Sequence, residues 1–227
     1  ISYGLYDGEN IELVAKEKIK TGKPQDTLLE LKALIDKILA AHNLVASDIS
    51  SMGISCGGPL DSHKGVILSP PNLPGWDEIA IVDYFEGHYH VPVYLQNDAN
   101  ACALAEWRMG AGRGTQNMVF LTFGTGLGAG LILNGQLYAG TNSNAGELGH
   151  IRLGDYGPVG YGKSGSFEGF CSGGGIAQLA RLMVMEKFQL GETVSWCSRE
   201  QINEITAQQV AEAAFQGDEL AKKMGAV

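Results

Sequence analysis

Thr122-Phe123-Gly124-Thr125-Gly126-Leu127-Gly128-Ala129-Gly130 is the stretch whose reading decides the fold. Glycines at this density let backbone N–H groups approach phosphate oxygens, and the Thr125 hydroxyl adds a donor. A dinucleotide-binding turn has to open directly into a helix. Here the chain runs instead into Leu131-Ile132-Leu133 and then Asn134-Gly135, a strong signal for a type I′ hairpin. Residues 118–123 and 127–133 are therefore expected as two strands, with a phosphate-binding turn at Gly124, Thr125 and Gly126 between them. A glycine hairpin with no ligand is the alternative.

Upstream of this hairpin, Gly-Ala-Gly-Arg-Gly-Thr-Gln (110–116) reads as a linker and sets the expected domain boundary, giving domains 1–112 and 113–227. Before it, a strand at 91–95 ends at Gln96-Asn97-Asp98-Ala99-Asn100, and a helix is expected over 101–109. Asp98 thus sits where a strand delivers it to a helix N-terminus. One reading is a helix cap, for which Asp is suited by hydrogen bonding and by the helix dipole. The other is a carboxylate that accepts a proton from a substrate hydroxyl, and the two are compatible. Further upstream, residues 1–6 and 11–19 flank Asp7-Gly8 as a hairpin. Thr27 and Glu30 form a capping box opening a helix, along which Leu28, Leu31, Leu34, Ile35, Ile38 and Leu39 make an apolar stripe. A strand at 51–55 runs into Cys56-Gly57-Gly58-Pro59, Asn72-Leu73-Pro74-Gly75-Trp76 is a loop, and 77–87 reads as a helix.

Downstream, a glycine-rich region spans 140–175, and helices are expected over 176–188 and 207–224. Strands and helices alternate in both halves, each half beginning with a hairpin. This predicts an α/β chain of two domains with mixed sheets flanked by helices, facing each other across a cleft. Within the glycine-rich region, Glu147 and His150 lie three residues apart, with Glu168 beyond. Carboxylates and imidazole supply the acceptors and donors that vicinal sugar hydroxyls require, although a solvated loop is the plainer reading of these residues alone. Residues 157–164, Gly-Pro-Val-Gly-Tyr-Gly-Lys-Ser, match the G-x-x-x-x-G-K-[ST] pattern. They lack the buried strand before and the helix after that a working phosphate loop needs, so the match is read as coincidental.

The 227 residues are 44% apolar, enough for a packed core. The net charge of -9 and pI of about 5.0 disfavour a nucleic-acid backbone as partner. The four cysteines are scattered without a CxxC pair, which fits a reducing compartment. The most apolar stretch, 119–133, is interrupted by glycines, and no membrane span or signal peptide is visible.

Taken together, these segments resemble the ROK family of repressors, open reading frames and sugar kinases. The resemblance is carried by 121–151, with its glycine turn, hairpin, Ala139-Gly140 and Gly146-Glu147-Leu148-Gly149-His150. It is carried also by Asn97-Asp98-Ala99-Asn100 with Ala103-Leu104-Ala105-Glu106, by Gly57-Gly58-Pro59-Leu60-Asp61, by 72–76, and by 205–221 with Gly217-Asp218. It implies an actin-like (ribonuclease H-like) fold and phosphoryl transfer from ATP·Mg²⁺ to a hydroxyl, usually the 6-OH, of a hexose or N-acetylhexosamine. Asp98 would be the general base. Gly58, Asn72, Asn97, Glu147, His150 and Glu168 would bind the sugar, and Gly124, Thr125 and Gly126 the nucleotide phosphates. A cytoplasmic protein with no membrane partner and no nucleic acid bound through this chain is implied, and a homodimer is compatible with it.

Two departures qualify the resemblance. Family members commonly carry Cys-x-Cys-Gly-x-x-Gly-Cys-x-Glu as a zinc module. The aligned run 159–168 has Val159, Tyr161 and Ser166 at the thiolate positions, so no zinc is expected, with Tyr161 and Phe167 packing the loop instead. The family's first phosphate loop, Asp-x-Gly-Gly-Thr, and its C-terminal adenine-flanking glycines would fall outside residues 1–227, so this chain alone is expected to be inactive and its full-length parent active. The sugar-sensing domain of a ROK-type repressor is the alternative function. The identity of the sugar is not fixed by these residues.

Overall fold

The computed structural model describes residues 2–7 and 12–225. The chain divides into two compact units, Ile1–Ala101 and Cys102–Val227. Among the described residues no helix is long and apolar enough to cross a membrane.

In the first unit, β1 (Ser2–Asp7) and β2 (Glu12–Lys18) pair antiparallel as the expected hairpin. The turn signalled by Asp7-Gly8 runs into residues 8–11, outside the described residues. Helix α1 (Pro24–Ala41) follows. It starts three residues before the expected capping box, because Pro24 takes the first helical position, where its missing N–H costs nothing. Thr27 is not the cap. It is buried in the first turn, and its hydroxyl accepts the Gly22 N–H at 2.9 Å. The apolar stripe holds: Leu28, Leu31 and Leu39 are buried, and Leu34, Ile35 and Ile38 are half-buried.

Strand β3 (Met52–Cys56) lies one residue beyond the expected 51–55 and alternates between half-buried and exposed positions. It is followed by a small antiparallel sheet of β4 (Leu60–Asp61), β5 (Val66–Ile67) and β6 (Ile79–Ala80). The single helix expected over 77–87 is therefore replaced by β6 and α2 (Ile81–Tyr89). Glu78 is left-handed, at φ 50°, which a helix cannot pass through, and Ile79 and Ala80 pair with Ile67 and Val66. Strand β7 (Val93–Asn97) then runs parallel to β3, and α3 (Asp98–Met109) begins at once. The core of this unit packs Leu28 and Leu31 of α1, Ile81 and Phe85 of α2, and Val93 and Leu95 of β7 with Ile67 and Trp76. The Trp76 indole N–H reaches the Gly22 carbonyl at 3.1 Å, which anchors the 72–76 loop.

In the second unit, β8 (Met118–Phe123) and β9 (Leu127–Leu133) form the expected antiparallel hairpin around Gly124-Thr125-Gly126. β9 turns at Asn134-Gly135 into β10 (Gln136–Leu137). Both turn residues have positive φ, 52° and 71°, as a type I′ turn demands. The glycine-rich region holds a one-turn 3-10 helix (Leu148–His150) and a short hairpin of β11 (Val159–Gly160) and β12 (Lys163–Ser164). Helix α4 (Phe167–Cys171) comes next, then α5 (Gly173–Gln189). α5 begins three residues before the expected 176, because the Ser172 hydroxyl accepts the Gly175 N–H and caps it.

The helix expected over 207–224 is two helices, α6 (Ala207–Phe215) and α7 (Glu219–Gly225). Gly217, at φ 98°, ends the first in the left-handed conformation that glycine adopts freely. Asp218 caps the second by accepting the Ala221 N–H at 2.9 Å. Val184 of α5, Val210 and Ala213 of α6, and Ala221 and Met224 of α7 share one core.

Burial pushes the Asp218 pKa up, but the Ala221 N–H and the Ser195 hydroxyl outweigh it and hold the carboxyl below its ordinary value. A carboxyl depressed in the folded state stabilises above its unfolded pKa, near 4, and that contribution fades as pH falls through the folded value. Asp218→Ala should therefore lower stability by about 1 kcal/mol at pH 7. The gap to wild type should narrow below about pH 4, as read by urea denaturation across a pH series.

Candidate functional site

Two clusters of predicted residues form, one on each unit. On the first, the parallel register sets Cys56 beside Asn97, so the C-terminal ends of β3 and β7 present Gly57-Gly58 and Asn97-Asp98 next to each other. A methyl added to Gly58 would lie 3.6 Å from Asn97 Nδ2, and one added to Gly57 would lie 4.0 Å from Asp98 Oδ2. Gly58, Asn97 and Asp98 are thus brought together. Asn72 stays exposed in its loop, and no described hydrogen bond ties it to this group.

The structure reassigns the helix cap. Asn97, not Asp98, is the residue before α3, and its side-chain oxygen accepts the N–H of Ala99 at 3.0 Å and of Asn100 at 3.3 Å. Asp98 is the first helical residue, exposed, with one carboxylate oxygen 2.9 Å from the Ala99 N–H. Burial, and then the nearby Asp98 charge, raise the pKa of the half-buried Cys56 thiol. Behind the motif, Gln96 Oε1 accepts the Asn97 N–H at 2.8 Å and the Asn100 side-chain amide at 3.2 Å. Sequence reasoning passed over this Gln96–Asn100 pair. Its i, i+4 spacing across the strand–helix junction was the available signal.

On the second unit, the glycine turn is fixed from behind. Gly124 N–H bonds the Gly126 carbonyl at 2.9 Å. The first two amides of α5, on Gly173 and Gly174, bond the carbonyls of Gly124 and Thr125 at 2.9 and 3.4 Å. No described hydrogen bond uses the N–H of Thr125 or Gly126. Those amides and the Thr125 hydroxyl sit on an exposed to half-buried turn, the donor set that phosphate oxygens need. Immediately beyond, Glu168 Oε2 accepts the Leu127 N–H at 3.0 Å.

Glu168 occupies the first turn of α4, which Ser166 caps from a fully buried position by accepting the Gly169 N–H. A methyl on Gly126 would come within 2.8 Å of Glu168 Oε2, and one on Gly149 or Gly160 within 3.2 or 2.7 Å of Glu168 Cβ. These glycines make room for the Glu168 side chain. Glu147 and His150 come from the adjacent 3-10 turn, with 3.5 Å between Glu147 Oε2 and His150 Nε2. Glu168 thus meets the glycine turn at Gly126 and Leu127, and meets at Gly149 the turn that carries Glu147 and His150.

The stretch 157–164 is a hairpin, not a phosphate loop. Tyr161 and Gly162 both have positive φ at its tip, and Lys163 Nζ donates to the His150 carbonyl at 2.7 Å. The Tyr161 ring stands edge-on to His150, centroids 5.3 Å apart, and Phe167 packs edge-on to Phe123 at 6.4 Å. At the positions aligned with family thiolates, Tyr161 contacts His150 and Ser166 caps α4.

Two measurements check these assignments. Asn97→Ala should destabilise the chain by about 1 kcal/mol through loss of the α3 cap. Asp98→Asn should stay within about 0.5 kcal/mol of wild type, both read by chemical denaturation. Lys163→Met should speed amide exchange at residues 148–151 by about tenfold, because a charge-assisted bond to the His150 carbonyl is lost. Exchange unchanged there would show that Lys163 does not hold the turn.

The sequence profile of the ROK family matches residues 3–226. The glucokinase of Halalkalibacterium halodurans is 37% identical over 180 residues, 77% of this chain and 54% of that protein. The xylose repressor of Caldicellulosiruptor bescii is 30% identical over 217 residues, 91% of this chain and 53% of that protein. The chain thus spans about half the length of the curated relatives it matches. A ROK family glucokinase from Streptomyces griseus, solved in complex with glucose and AMPPNP, superposes with a TM-score of 0.70 at 28% identity, over 97% of this chain and 69% of that one. The mixed α/β architecture is that of the actin-like ROK proteins.

Proposed function

Because this chain belongs to the ROK family, we propose that it is the sugar-binding and phosphate-binding portion of an ATP-dependent hexose or N-acetylhexosamine kinase acting in the cytoplasm. Asp98 is the observation that carries this reading. Its carboxylate is exposed at the head of α3, and the capping bonds come from Asn97. A carboxylate that the helix does not need as a cap, held on a strand end, suits a general base.

In this mechanism Asp98 Oδ2 accepts the proton of the sugar hydroxyl as that oxygen attacks the γ-phosphorus of ATP, the bond from that phosphorus to the β–γ bridging oxygen breaks, and ADP leaves with the bond's electron pair. Gly58, Asn72, Asn97, Glu147, His150 and Glu168 orient the sugar through its hydroxyls. The Thr125 and Gly126 amides with the Thr125 hydroxyl hold phosphate oxygens of the nucleotide, with Gly124 shaping the turn. Phosphoryl transfer depends mainly on alignment and charge neutralisation, and ATP enters as its Mg²⁺ complex. Tyr161, Ser166 and Lys163 shape the His150 loop by packing and hydrogen bonding, so the proposal assigns no zinc.

The second reading is the sugar-sensing part of a ROK repressor. It is favoured by the longer alignment to the xylose repressor, 217 residues against 180 for the glucokinase. A coupled ADP-release assay of a full-length protein carrying this chain, run against a hexose panel, separates the two. The kinase reading expects sugar-stimulated turnover that falls 10²- to 10⁴-fold in Asp98→Ala, roughly the span of general-base catalysis, with little change in sugar KM. Absence of turnover with any hexose, together with sugar-dependent DNA binding, would replace it with the repressor reading.

A further inference from the structure

We infer that Glu168 couples the two ligands, serving as the physical link through which sugar binding and nucleotide binding strengthen each other. The inference rests on the kinase reading above and adds a property which that reading does not require.

Glu168 Oε2 is committed to the Leu127 N–H at 3.0 Å, the first amide after the phosphate turn. It lies so close to Gly126 that an added methyl there would come within 2.8 Å of it. Among the described residues, no hydrogen bond is made by Oε1. The carboxylate is half-buried, and its backbone is fixed by the buried Ser166 cap and by the Phe167 N–H to the Ile151 carbonyl at 2.8 Å. The far end of the side chain is held at the turn through the Leu127 N–H. A sugar hydroxyl that donates to Oε1 therefore acts on a group whose other oxygen holds the turn.

The same turn carries the Thr125 and Gly126 amides. Its carbonyls are tied to the first amides of α5, and the amide that follows it, on Leu127, is tied to Glu168. Occupancy of Oε1 restricts the carboxylate and with it the turn. By linkage, phosphate bound at the turn then favours sugar to the same factor. A ligand that orders a group shared with a second site lowers the ordering cost for the second ligand.

The test is calorimetric titration of a full-length protein carrying this chain with the non-hydrolysable analogue AMPPNP, in the absence and presence of saturating glucose. In wild type, glucose should tighten AMPPNP on the order of tenfold, within the usual range for coupled sites. Glu168→Ala should bring that factor to within about twofold. Glu168→Gln keeps an acceptor for the Leu127 N–H and should retain a measurable part of it. Gly126→Ala displaces the carboxylate from the turn without removing it, and should lose the coupling when AMPPNP affinity with saturating glucose is divided by its affinity without glucose. If Glu168→Ala does not fold, the other two variants carry the test. A residue that only supported the fold would change both affinities together and leave their ratio intact. Wild-type coupling in the Glu168 and Gly126 variants would overturn the inference and leave the kinase reading standing. Failure of wild type to bind either probe would overturn both.

Discussion

A single hydrogen bond, from the Leu127 N–H to Glu168 Oε2, fastens helix α4 to the glycine turn of the β8–β9 hairpin. A charged oxygen held in a half-buried position needs fixed donors, and a backbone amide at a strand start is about as fixed as a donor can be. Much around it follows from that requirement. Gly126, Gly149 and Gly160 leave the space the Glu168 side chain fills. Ser166 sets where α4 begins, and the 3-10 turn with Glu147 and His150 is brought alongside through Gly149. From the irregular 140–175 region one acid thus reaches across forty-one residues of chain to the glycine turn.

The same region shows why a pattern has to be weighed with its surroundings. Residues 157–164 satisfy a phosphate-loop pattern letter for letter. The lysine of that pattern ends on the His150 carbonyl, and two positive-φ residues make a hairpin tip where a phosphate loop needs a helix start. Lys163, Tyr161 and Ser166 then hold a loop by hydrogen bonds and ring packing. The ammonium–carbonyl contact is charge-assisted and half-buried, so it constrains the His150 backbone more firmly than a neutral pair would.

The elements legible in the sequence were those with a strong local cause. The Asn134-Gly135 turn is legible because both central positions of a type I′ turn need positive φ, and the β8–β9 hairpin because its glycine turn opens into a second apolar strand and not a helix. The α1 stripe was read correctly for the same kind of reason. The misplaced boundaries share a cause as well. Thr27-x-x-Glu30 looked like a cap, but Pro24 pre-sets helical φ and wins. The 77–87 run looked helical, but sheet pairing with β5 took Ile79 and Ala80. The 207–224 pattern ran through Gly217-Asp218, which is a stop and a start in two residues. In the site, residue types and spacing suggested Glu147, His150 and Glu168. They gave no hint that Glu168 would contact the strand after the turn, since that contact joins residues forty-one apart. At α3 the sequence offers Asp98 as a cap beside its reading as a base, and the structure puts the cap at Asn97, since Asn and Asp are nearly equal capping residues and only the position of the helix start distinguishes them.

That one-residue difference has a consequence for how such proteins change. With Asn97 providing the cap, the framework at the β7–α3 junction does not depend on the acid at position 98. A lineage can then lose the acid at position 98 by one substitution and keep the fold of this junction. Glucokinases and a xylose repressor both stand among the relatives of this chain. A junction that separates chemistry from architecture offers a short mutational path between the two trades.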